Sequence, residues 1–209
     1  MPAADLGKLQ TRFTALLALA LPNVEMVSEV APAWLVRPGR EELANLWSLA
    51  RAVYRDLTGL ELPERMPSRE RRRLDIVLTH PDGAQQIVEF DERQHFTGAR
   101  LMTLRYYNGI DSGFDVSAWA ERCAALEGRE PKGGFARPKP PLFPGDGGRH
   151  RQRAFRDFLA DALPIQYGWL PTRRFQDREL IAIEREIEPA KSLAAVWNGF
   201  AETPPRKKD

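Results

Sequence analysis

Cysteine is almost missing from this 209-residue chain, where Cys123 stands alone. An intramolecular disulfide is thereby excluded, and without a Cys-x-x-Cys spacing a structural zinc site has no ligand set; Cys123 reads as a buried core residue. Long hydrophobic runs are missing too. No stretch reaches the roughly 18 to 20 apolar residues of a membrane span, and the apolar N-terminal run has polar breaks and no signal-peptide cleavage pattern. No membrane partner and a cytoplasmic location are the expectation. An excess of one charge sign is also lacking: the net charge of +2 would not by itself point to a polyanion partner.

What is present is ordinary apolar content, 43% of residues, enough for a sizeable core in one domain spanning 1–209. Arginine, moreover, is clustered. Arg69, Arg71, Arg72 and Arg73 form one group, Arg149, Arg151, Arg153 and Arg156 a second, Arg173 and Arg174 a third. The planar guanidinium fork suits bidentate phosphate contact, so such groups can build a phosphate-binding surface despite a near-neutral total. For any one cluster alone, a solvated face is an equal reading.

Helical spacing of Leu6, Leu9, Phe13, Leu16 and Leu17 predicts a helix over 5–21, ended by Pro22. The stretch 23–35 reads equally as a short helix or a strand pair around Glu29. A strong amphipathic stripe from Leu43 to Leu57 predicts a second helix with Gly59 as its stop, completing an N-terminal helical part over 1–60. Residues 97–148 change composition along their length. They contain a predicted helix over 117–126 and then a Pro/Gly-rich basic loop, suited either to nucleic-acid contact or to disorder. Further helices are predicted over 150–163 and 189–200, with a strand over 167–175 between them.

The most informative stretch is RRRLDIVLTHPDGAQQIVEFDERQHF, residues 71–96. His80-Pro81-Asp82-Gly83 has the residues of a type I turn followed by a left-handed glycine, a three-residue hairpin loop that pairs His80 with Ala84. Counting back, Val77 then faces Ile87, Asp75 faces Glu89 and Arg73 faces Asp91. Strand alternation places Leu74, Ile76, Leu78, Val88 and Phe90 on one face and Val77 and Ile87 with the acids on the other. Apolar residues on both faces predict a sheet interior with helices on each side. Asp75, Glu89 and Asp91 are expected to converge there as ligands of Mg²⁺ or Mn²⁺, which take carboxylates together with water and substrate phosphate. His95, just beyond, is suited to position water, to act as acid or base, or to contact phosphate; a surface histidine is the plain alternative.

The pattern LDIVL, turn, IVEFDERQHF resembles the PD-(D/E)xK superfamily, and within it the branch of very short patch repair endonucleases and a related family of unknown function. HRQRAFRDFLADALPIQYGWLPTRRF is similar to that branch's following helix and strand. The resemblance covers 69–96 and 149–180 and leaves 97–148 as an insertion. It implies an α/β fold with a restriction-endonuclease-like core, a central mixed β-sheet flanked by helices, carrying additional N-terminal helices. It further implies a metal-dependent endonuclease hydrolysing phosphodiester bonds in DNA, in repair or defence, with a homodimer as one way to cut both strands. Asp75 and Glu89 match the two acids of the motif. Asp91 stands where the wider superfamily has lysine, so Gln94 or His95 would take over water activation, and Glu92 replaces the branch's glycine. Arg71, Arg72, Arg73, Arg149, Arg153, Arg173 and Arg174 are the expected nucleic-acid contacts. The alternative is a catalytically impaired nucleic-acid-binding module of the same fold.

Overall fold

The computed structural model describes residues 3–67 and 73–201; Arg69, Arg71 and Arg72 lie outside the described residues. In chain order the elements are α1 (Ala3–Ala20), β1 (Glu25–Val30), α2 (Ala33–Val36), α3 (Arg40–Leu43), α4 (Trp47–Thr58), β2 (Leu74–Thr79), β3 (Gln85–Asp91), α5 (Gly98–Leu104), α6 (Val116–Leu126), α7 (Gly148–Ala162), β4 (Leu170–Gln176), α8 (Asp177–Ile183) and α9 (Pro189–Ala201). The fold is α/β. Its mixed sheet runs β1-β2-β3-β4, with the first two pairings antiparallel and β3-β4 parallel.

The hairpin at its centre has the register that the turn predicts. The His80 N–H donates to the Ala84 carbonyl at 2.8 Å and the Gly83 N–H to the His80 carbonyl at 2.8 Å, with Gly83 at φ +84°. Val77 accordingly faces Ile87, and Ile76 faces Val88. Beyond that pair the backbone ladder gives way to a side chain: Asp75 Oδ2 accepts the Phe90 N–H at 2.8 Å.

Helices cover both faces of the sheet. On one side Ile76, Leu78, Val88, Phe90 and Phe175 pack with Leu9, Phe13 and Leu17 of α1, Leu180 and Ile183 of α8, and Leu193 and Trp197 of α9. Val77 and Ile87 pack on the other side with α4, α5, α6 and α7. Leu74 departs from simple alternation. It joins the second core rather than that of Ile76, and Glu29, across from the intervening Asp75, sits at φ +58°.

One expectation is revised and two open stretches are resolved. The N-terminal part is not wholly helical, because β1 adds an outer strand to the sheet; its mostly exposed residues gave no two-residue period to read. Residues 98–104 form α5, capped by the Thr97 hydroxyl, which accepts the Arg100 N–H. The basic loop is folded rather than disordered. Leu142 and Phe143 are buried, Lys139 and Phe143 exchange backbone hydrogen bonds of 2.8 Å, and the Tyr54 hydroxyl donates to the Leu142 carbonyl at 2.6 Å. Among the described residues no helix is long and apolar enough to cross a membrane.

Candidate functional site

Where β2 begins and β3 ends, the sheet opens into a polar cleft of about 240 Å³. Asp75, Glu89 and Phe90 form its floor, Glu92, Gln94 and His95 one wall, and Arg149, Arg153, Arg156 and Asp157 of α7 the other, with Gln10 and Arg73 at the rim. Local chain geometry explains the grouping. After β3 the chain stays extended through Glu92 and then tightens into a single 3₁₀ turn, Arg93–His95, which folds Gln94 and His95 back over the strand end. On α7 the spacing 149, 153, 156 is a helical stripe, so its three arginines share one side.

The floor is electrostatically costly. Burial pushes the Asp75 carboxyl up to about 7, although the Phe90 N–H bond opposes it. Glu89 is 4% exposed and Glu92 6%. Burial also raises the Glu92 carboxyl, against the Gln94 amide, whose Nε2 donates to Oε2 at 2.7 Å. Among the described residues, Glu92 Oε1 is buried with no hydrogen-bond partner. On the opposite wall burial lowers Arg153 to about 10; its Nη1 donates to the Gln94 carbonyl at 2.9 Å and so ties the two walls together.

Asp91 is corrected. Its side chain does not join Asp75 and Glu89 in the cleft but is fully buried beside it. There Arg174 Nη1 bonds both its oxygens, at 2.8 and 3.0 Å, and Trp119 Nε1 donates to Oδ2 at 2.7 Å. Strand alternation put Asp91 on the same face as Glu89, but α6 covers that face at Asp91 and fills it with an indole. The same network corrects Arg174, expected on the nucleic acid. This side chain is buried between Asp91, Asp157 and Asp161, with Nε at 2.8 Å from Asp161 Oδ1. Arg173 is turned inward as well: its guanidinium stacks 4.1 Å from the Trp197 ring and donates to the Trp197 carbonyl. Among the described residues no group of three or more His, Cys, Asp or Glu is arranged to hold a metal ion, so the expected three-acid cluster is reduced to the Asp75–Glu89 pair.

His95 is held where the two environments meet. Its Nδ1 lies 3.1 Å from Asp157 Oδ2 and 3.2 Å from Asp91 Oδ1. Ionised carboxylates only accept, so Nδ1 carries the proton and Nε2 is the nitrogen left for the cleft. Burial would raise the Asp157 carboxyl, but His95 and Arg174 outweigh it and hold the group well below the usual carboxylate range. Asp157 and Asp161 were missed in the sequence. Their signal was two acids at i and i+4 on the buried stripe of α7; their partners, Arg100, Arg174 and Tyr107, come from α5, β4 and the turn after α5, beyond any local pattern.

Comparison of the chain with protein-family models, with curated proteins and with solved structures found no match.

Proposed function

We propose that this chain is a metal-dependent nuclease of restriction-endonuclease-like fold that hydrolyses phosphodiester bonds in DNA. The observation that carries the reading is the cleft, which gathers the half-buried carboxylate of Asp75 and the buried one of Glu89 with His95 and with Arg73, Arg149, Arg153 and Arg156. Acids and arginines in one cleft suit a phosphate bridged to a cation.

The donor set fits Mg²⁺ or Mn²⁺, hard ions that need only one or two protein carboxylates beside water and phosphate oxygens. Asp75 and Glu89 would hold the ion, and a carboxyl that burial keeps near neutrality gains a counter-charge by doing so. Such an ion supplies Lewis-acid stabilisation of the phosphorane charge and lowers the pKa of a bound water. The chain's own residues do the rest. Arg149, Arg153 and Arg156 orient the backbone phosphates, Asp157 fixes the His95 tautomer, and His95 Nε2 is set to exchange a proton with the leaving oxygen.

Asp91, locked to Arg174 at the position of the superfamily's lysine, favours the second reading, a nucleic-acid-binding module without chemistry. One experiment separates the two. Cleavage of plasmid and oligonucleotide DNA in Mn²⁺ is expected for the native chain, with Asp75→Ala losing both cleavage and Mn²⁺ binding by calorimetry. DNA binding that is equal with and without metal, and no cutting under either ion, would leave only the binding module.

A further inference from the structure

Glu92 was read in the sequence only as a departure from a glycine, yet it lines the cleft. The assignment below rests on the hydrolytic reading above. Glu92 follows β3 in extended conformation, φ −86° and ψ 171°, and only 6% of it is exposed. One carboxylate oxygen is fixed: Oε2 accepts from Gln94 Nε2 at 2.7 Å. Gln94 is fixed in turn through its carbonyl by Arg153. The other oxygen, Oε1, is buried in the cleft wall with no donor among the described residues. A buried carboxylate oxygen without a donor is costly, and a donor that enters the cleft would offset that cost. Arg153, on the facing wall, donates to the Gln94 carbonyl rather than to Glu92 Oε1. The neighbouring acid cannot take the role, because Asp91 is saturated by Arg174 and Trp119.

We propose that Glu92, held by the positioning residue Gln94, is the base that accepts the proton of the attacking water. The water oxygen forms the new P–O bond and its proton passes to Oε1. The P–O bond to the departing nucleoside breaks, its electron pair stays on the leaving oxygen, and that oxygen takes a proton from the Nε2–H of a protonated His95. A phosphate monoester and an alcohol result. Glu92 and His95 stand on the same wall with separate anchors, Gln94 for one and Asp157 for the other, so the two proton transfers are handled by independently oriented groups.

The test is single-turnover cleavage of a labelled oligonucleotide in Mn²⁺ by the full chain. Glu92→Gln is expected to slow the chemical step by about 100-fold, with KM and Mn²⁺ affinity within about twofold of the native chain. Glu92→Asp is expected to recover part of that loss, and Gln94→Ala to lose about tenfold. Unchanged kcat in Glu92→Gln, or a loss that lies in KM or in Mn²⁺ affinity, overturns the assignment. An active Glu92→Gln beside a silent Asp75→Ala would do so while leaving the nuclease reading intact. A native chain that cuts nothing with any divalent ion removes both together.

Discussion

Asp75 occupies two structural roles at once: a ladder acceptor for the Phe90 N–H and an acid on the floor of the cleft. The second role costs stability. Its carboxyl titrates near 3.8 when unfolded and at about 7 when folded, with burial as the largest cause. Below the first value both states are protonated and nothing is lost. As pH rises from there to about 7 the unfolded chain releases its proton while the folded chain keeps it, so stability falls, and above 7 the loss is complete. Asp75→Asn keeps an oxygen acceptor for Phe90 but never ionises. At pH 4 it should match the native chain in urea denaturation; at pH 8 it should be the more stable of the two, by roughly 4 kcal/mol at most. Equal urea midpoints at pH 8 would mean that the carboxyl is not desolvated as described. Mn²⁺ at pH 8 should stabilise the native chain and leave the variant unmoved.

Among the elements α7 carries the most. Its buried stripe supplies Phe155, Phe158 and Leu159 to one core, a second line supplies Asp157 and Asp161 to the ion network, and a third turns Arg149, Arg153 and Arg156 to the cleft. Arg149 and Arg153 are four residues apart, a rise of about 6 Å along the helix, so both can face one stretch of backbone phosphates. Arg149→Ala and Arg153→Ala together should weaken DNA binding alike for all sequences and lower the slope of log K against log[salt] by about 2. A binding curve whose salt slope does not change would take these arginines off the phosphates. Much of this element was readable beforehand: its limits, its apolar stripe and its separate line of arginines all follow from helical period. Its acids were not, since a local pattern does not say which cation will meet them.

Across the whole molecule, one buried network fastens β4 and α7 to β3 and α5. Arg174 of β4 bonds Asp91 of β3 and Asp161 of α7, while Arg100 of α5 reaches Asp161 at 2.8 Å. Removing one partner from such a cluster leaves uncompensated buried charge. Arg174→Met is therefore expected to cost about 3 to 5 kcal/mol and to lower the urea midpoint sharply at pH 7. An unshifted midpoint would show the network to be energetically idle. This placement also explains why a paired arginine in a basic cluster, so suggestive of a phosphate surface in the sequence, faces the interior. Arg173 and Arg174 alternate along a strand covered on both sides, so neither face offers solvent.

The sequence by itself determined the hairpin. Proline and glycine at fixed turn positions set its register, the two-residue period set its faces, and both are local effects that act wherever the chain lies. Local period also gave most helices, though not α5, whose seven residues are too short for a clear stripe, nor β1, whose exposed residues have none. Only the tertiary structure decided the fate of each acid. Glu89 and Asp91 are equivalent in alternation, yet one meets the arginines of an open cleft and the other meets Arg174, 83 residues away, and the Trp119 indole. Charge is settled by what approaches it from the rest of the chain, and that depends on packing at a distance rather than on neighbours in sequence.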